Sequence, residues 1–282
     1  FQIAIAETYD VIVQPAADMA YGFIAEAIDR SGQVRATLAP RLGMIAPIPA
    51  IRERPLLTMK DMGMGEMDMS GGGDMAGMDM SGGDMAGMDH GAGGHGAMNM
   101  RDPSVAPQVK MGPGVATLSP MPMDRTGERP TGLEKVDHRV LTYRDLKSLA
   151  PNPDKRTPSR EIDLHLTANM ERYMWSFDGQ KFSENTEPIP FRHMERVRVN
   201  LINDTMMPHP IHLHGMFFEL VNGQNPAHQP RKNVVTVQPG ASAQFDLTAN
   251  EPGDWAFHCH LLYHMHGGMM QIVTVAGPGV AA

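Results

Sequence analysis

The stretch Gly253-Asp254-Trp255-Ala256-Phe257-His258-Cys259-His260-Leu261-Leu262-Tyr263-His264-Met265-His266-Gly267-Gly268-Met269 holds the only cysteine of a 282-residue chain. Its first part alternates like a β-strand, and in a strand successive side chains face opposite ways. His258 and His260 therefore share one face, and Cys259 takes the other. A second histidine-rich stretch, His209-Pro210-Ile211-His212-Leu213-His214-Gly215, puts His212 and His214 on one face by the same rule. Two His pairs from two strands converge on one metal centre, and Cys259 serves a different metal across the strand. His264 and Met269 follow Cys259 at five-residue steps, so a turn returns both to the cysteine. His209 supplies one more imidazole from the neighbouring strand. Two imidazoles, a thiolate and a weak thioether form the blue-copper donor set. A structural zinc site would need closed Cys-x2-4-Cys spacing, which is absent here.

Working outward, residues 137–282 carry many short strand signals. These are Glu161–Thr167, Tyr173–Phe177, Arg196–Ile202, Ile211–Leu220, Val234–Val237, Ala243–Leu247, Asp254–His260 and Met270–Val275. Turn pairs such as Asp178-Gly179, Asn222-Gly223, Pro239-Gly240 and Pro252-Gly253 separate them, which predicts an all-β sandwich or barrel. A short helix is predicted over Asp145–Ala150, ended by Pro151. Residues 1–42 read as strands at Phe1–Ala6, Tyr9–Val13, Ala20–Ala27 and Val34–Leu38. That is too little for an independent core, so it is expected to be the end of a preceding β domain. Residues 43–136 are expected to be a linker rich in Pro, Met and Gly.

Within that linker, a Gly-Gly-Asp-Met-Ala-Gly-Met-Asp unit at 72–79 recurs at 82–89. With no periodic apolar face, the tract is expected to be disordered. Its Met59, Met62, Met64, Met67, Met69, Met75, Met78, Met80, Met85, Met88, Met98 and Met100 offer soft thioethers suited to cuprous ions. His90 and His95 could hold cupric ions; the competing reading is a plain linker. The formal net charge of -8 argues against nucleic acid as a partner. No apolar run reaches the ~20 residues of a membrane helix. The chain opens at Phe1 with no secretory leader, and a fragment is expected.

The two copper stretches resemble the third and fourth copper-binding motifs of multicopper oxidases. The flanking sequence is closer still to bacterial CopA-type copper-resistance oxidases, through Ala6-Glu7-Thr8-Tyr9-Asp10-Val11, Asp29-Arg30, Pro55-Leu56-Leu57-Thr58-Met59, Asn169-Met170-Glu171-Arg172-Tyr173-Met174-Trp175-Ser176-Phe177-Asp178-Gly179 and Asn203-Asp204-Thr205-Met206-Met207. The resemblance implies a cupredoxin-like Greek-key β-sandwich over 137–282, with a partial cupredoxin domain before it. It implies that His209, Cys259, His264 and axial Met269 bind type 1 copper. His212 would bind type 2 copper, and His214, His258 and His260 the type 3 pair. Electrons from cuprous ions or phenols would pass from Cys259 to His258 and His260, and reduce dioxygen to water. The implied role is copper resistance in the periplasm. The family draws further ligands from His-x-His motifs near its N-terminus, and no histidine precedes His90. The chain is thus expected to hold half of the three-copper cluster and to need a missing N-terminal cupredoxin half. The alternative is a copper-sequestering or blue-copper electron-transfer protein without oxygen reduction. His266 is expected to face solvent or to sit just behind a ligand, and His193-Met194 stands where the resemblance puts a glycine turn.

Overall fold

A computed structural model describes residues 1–64, 99–185 and 187–277. The described residues form fourteen strands: β1 Tyr21–Glu26, β2 Gln33–Leu38, β3 Met123–Asp124, β4 Arg160–Asn169, β5 Met174–Phe177, β6 Ile189–Phe191, β7 Arg196–Asn203, β8 His209–Leu213, β9 Phe218–Val221, β10 Arg231–Lys232, β11 Val234–Val237, β12 Ala241–Thr248, β13 Gly253–Cys259 and β14 Met270–Val275. The one α-helix among the described residues, α1, is the short turn Leu262–His266. No helix is long and apolar enough to cross a membrane among the described residues.

Two sheets build the sandwich. One runs β10-β9-β12-β7-β4-β5, with β3 added beside β12; the other runs β11-β8-β13-β14-β6. Most neighbours are antiparallel, but β4–β7, β6–β14 and β3–β12 are parallel. Alternation sets which face is inside: β14 reads half-buried, buried throughout, and β12 begins the same way. Phe245 of β12 and Phe257 of β13 meet edge-on at 6.4 Å between ring centroids, joining the two sheets. Phe218 stacks on Phe245 at 4.1 Å, and Phe177 on Phe257 at 5.4 Å. All four rings are buried, each worth roughly 1.5–3 kcal/mol by burial.

Several sequence expectations shift. Strand signals at Phe1–Ala6 and Tyr9–Val13 give no strand: neither segment pairs with a neighbouring strand. Glu7 instead pins this segment to the sandwich. Its Oε1 accepts from the Tyr143 hydroxyl at 2.7 Å and pairs with Lys232 Nζ at 2.8 Å. β1 and β2 pair only with each other. The helix predicted over Asp145–Ala150 is a 3-10 turn at Tyr143–Asp145, capped by Thr142 and Asp145. The run Ile211–Leu220 breaks into β8 and β9 at Gly215, where φ is +74°.

Residues 99–136 lie against the sandwich. Ala106, Val109, Val115 and Leu118 form a small cluster of their own. Thr58–Gly63 docks beside them: Asp61 accepts from Arg125 at 2.8 Å, and both side chains are buried. The predicted disorder of the methionine-rich tract, with Met67–Met98, His90 and His95, falls outside the described residues.

Candidate metal centre

β13 and β8 lie side by side, with His258 opposite His212 and Cys259 opposite Ile211. The alternation read from the sequence thus sorts the ligand types onto two faces. On the inner face, Cys259 Sγ lies 3.6 Å from His209 Nδ1 and 3.9 Å from His264 Nδ1, and the two Nδ1 atoms are 3.2 Å apart. His209, Cys259 and Met269 are fully buried, and His264 nearly so.

Backbone bonds hold this geometry. Cys259 N–H donates to Met269 O at 3.1 Å, and Met269 N–H donates to His264 O at 3.0 Å. The turn α1 between them ends at Gly267 and Gly268, the latter at φ +122°. The loop therefore closes on itself, bringing Cys259, His264 and Met269 together as the spacing predicted.

His209 has a further partner that the sequence did not single out. Its Nε2 lies 2.7 Å from Thr205 Oγ1. With Nδ1 facing the sulfur as a lone pair, Nε2–H donates to the hydroxyl. Thr205 Oγ1 also accepts from Met207 N–H and donates to Met207 O, both at 3.2 Å. Trp175 stacks on the His264 ring at 3.6 Å between centroids, with planes 13° apart. Neither residue was a sequence candidate. The Asn203–Met207 and Asn169–Gly179 segments carried them only as flanking resemblance.

On the opposite face, His212, His214 and His258 gather their ligand atoms within 4.8 Å of one another. His214 Nε2 is 3.0 Å from His258 Nε2. The other nitrogens are committed: His212 Nδ1 to Asn233 O at 2.7 Å, and His258 Nδ1 to Cys259 O at 2.9 Å. A carbonyl only accepts, so Nδ1 carries the proton and each Nε2 offers a lone pair. His260 stands beside this trio, its ring 5.4 Å from His258 and 5.6 Å from His212. It is not one of the three with ligand atoms in mutual range, and its Nδ1 is buried without a hydrogen-bond partner. His214 is exposed, so this face is open, and His266 is exposed as expected.

Charge follows burial. Desolvation pushes the Cys259 thiol up to about 12 and His264 down to about 4. Burial, then the neighbouring His264, holds His209 well below its ordinary value. Burial likewise lowers His212 and His258. The inner pocket is therefore uncharged near neutrality. A soft thiolate, two imidazoles and a buried thioether residue fit copper, and a cation is what would draw the proton off the thiol.

The multicopper oxidase family pattern matches residues 155–278. Copper resistance protein A of Escherichia coli is 43% identical over 98% of this chain and 49% of that protein. A Copper resistance protein A homolog of Pseudomonas syringae pv. tomato is 45% identical over 97% of this chain and 47% of that protein. Multicopper oxidase MmcO of Mycobacterium tuberculosis is 35% identical over 42% of this chain. The chain spans about half the length of the copper resistance relatives it matches. With an all-β sandwich carrying a His–Cys–His pocket behind one strand and a histidine trio in front of it, this chain belongs to the multicopper oxidase family, whose cofactor is copper.

Proposed function

We propose that this chain carries the electron-accepting centre, and half of the dioxygen-reducing centre, of a periplasmic oxidase acting in copper resistance. The observation that carries the reading is the convergence of Cys259 Sγ, His209 Nδ1 and His264 Nδ1 in one buried pocket. His209, Cys259, His264 and Met269 would hold type 1 copper. His212 would hold type 2 copper, and His214, His258 and His260 would contribute to the type 3 pair. Copper, when bound, would supply the one-electron chemistry. The chain's part is to bind, orient and connect. Thr205 and Asn233 fix two of the rings, and burial keeps water from the thiol. Cys259 joins the two centres through its covalent neighbours His258 and His260, and through its carbonyl, which accepts from His258 Nδ1. Cuprous ions or phenols are the electron donors, and dioxygen is the acceptor.

The open outer face, with His214 exposed, suits closure by a second cupredoxin half that supplies the missing imidazoles. In this reading residues 1–42 end that half, 43–136 link the two and 137–282 form the C-terminal cupredoxin domain. The inner pocket's completeness beside an unfinished outer trio also favours a second reading, a copper-sequestering or electron-carrying protein without oxygen reduction. The test is to load the chain with cupric ion and record visible absorption and dioxygen uptake, alone and with the N-terminal half of a copper resistance relative. Intense blue colour, with uptake only in the presence of that half, is expected. Colour with no uptake in either case supports the carrier. A colourless copper complex refutes both.

A further inference from the structure

The inner pocket is sealed: His209, Cys259, His264 and Met269 are each 5% exposed or less. An outside electron donor cannot touch any of them, and one side-chain stack spans the gap to solvent. Trp175, itself buried, lies flat on His264 at 3.6 Å. Tyr173 meets the Trp175 ring edge-on at 5.9 Å and is 51% exposed. The three rings run unbroken from the surface to the pocket.

Two features of this stack cost stability without helping the fold. Trp175 Nε1 is buried with no hydrogen-bond partner among the described residues, an arrangement that costs stability. A phenylalanine would fill much of the same space without that loss. Tyr173 sits at φ +51°, a left-handed conformation that glycine or asparagine adopts more readily than tyrosine. Costs of this kind mark positions held for function rather than packing. What phenylalanine at position 175 would lack is the reach of the fused indole, which stacks on His264 and meets Tyr173, and what an aliphatic residue at position 173 would lack is a ring at all. Electron tunnelling weakens steeply across each empty gap, and stacked electron-rich rings bridge such gaps.

The geometry points to Tyr173 and Trp175 as the route by which electrons from a donor at the surface reach the His264 side of the pocket. The assignment rests on the copper reading of that pocket. Per event, the donor loses one electron: a cuprous ion becomes cupric, or a phenol loses a proton to solvent and becomes a phenoxyl radical. One cupric ion held by His209, Cys259 and His264 gains that electron and becomes cuprous. The rings end unchanged, and no other reagent is consumed.

Anaerobic stopped-flow mixing of the copper-loaded full chain with hydroquinone reads this step directly, as bleaching of the blue band without any turnover. Trp175→Phe shortens the aromatic plate, which opens a gap between His264 and Tyr173, and removes the unpaired N–H. Its bleaching is expected to slow about tenfold with band position and midpoint potential unmoved. Tyr173→Asn suits the left-handed backbone and removes the surface ring; it is expected to slow as well, while Tyr173→Phe keeps the parent rate. Parent rates in both Trp175→Phe and Tyr173→Asn overturn the route. So does a displaced band or potential in Trp175→Phe, which makes Trp175 part of the pocket's shape instead. A fall in Tyr173→Phe equal to that in Tyr173→Asn assigns Tyr173 to donor binding through its hydroxyl and overturns its place in the relay. A parent chain with no blue band removes the copper reading and the route together, whereas parent-like variants remove the route alone.

Discussion

Replacing Thr205 by valine tests whether the pocket is held from behind by the hydroxyl on His209. The side chains are similar in volume, and Thr205 is only 5% exposed. The substitution removes the acceptor for His209 Nε2–H at 2.7 Å and for Met207 N–H at 3.2 Å. Water has no ready route to the first, since His209 is fully buried. Each buried donor left unmatched costs about 1–3 kcal/mol. The longer second bond belongs at the low end, which gives about 2–4 kcal/mol for the metal-free chain. A ligand imidazole that loses its outer partner also loses orientation, typically about 10–100-fold in metal affinity. The chain has two tryptophans, so urea unfolding followed by their fluorescence measures the first effect. Competition for cupric ion against a coloured chelator, read at the blue band, measures the second. Stability within about 0.5 kcal/mol of the parent, together with unchanged affinity, would show that Thr205 does not position His209.

Asp178 supplies a pH-dependent case. Burial, the largest influence, raises its carboxyl from 3.8 to about 6, although His165 N–H donates to it. A folded value above the unfolded one means that ionising Asp178 opposes folding. The penalty grows from about pH 4 to pH 6 and is then constant. Asp178→Asn keeps the acceptor oxygen and suits the φ of +49°. Asn should therefore gain about 1–2 kcal/mol at pH 7.5 and little at pH 4, after allowing for partial exposure; equal gains at both pH values would contradict the account. Gly215→Ala probes the turn after His214, where φ is +74° and an added Cβ would overlap the Trp255 ring. A loss of about 2–4 kcal/mol in unfolding experiments is expected, and a neutral result would mean that Trp255 moves aside freely.

The residues of the candidate metal centre were legible because strand alternation is a strict rule. His258, Cys259 and His260 needed only a period of two to fall on two faces. Met269 needed only that the loop return, and backbone bonds among Cys259, His264 and Met269 show that it does. Thr205 and Trp175 were not legible as site residues. A threonine four positions before His209, and a tryptophan inside a core strand, look like ordinary loop and packing residues until the fold brings them to the imidazoles. His260 was grouped with the trio by its face alone; how near its nitrogens come depends on ring rotation, which no spacing encodes. Glu7 was hidden because its partners, Tyr143 and Lys232, lie more than a hundred residues away. Met194 could be read more directly. It stands where a glycine turn was anticipated, and it holds the left-handed φ of +62° such a turn requires.

The backbone bonds that close the Cys259–Met269 loop carry one more implication. A pocket whose cysteine, histidine and methionine are tied together through their main chains has little freedom to reshape itself around a guest. Such a rigid enclosure offers nearly the same welcome to a singly and a doubly charged ion. A change of one charge then demands little movement of the surrounding atoms, and small movement is what lets a charge come and go quickly.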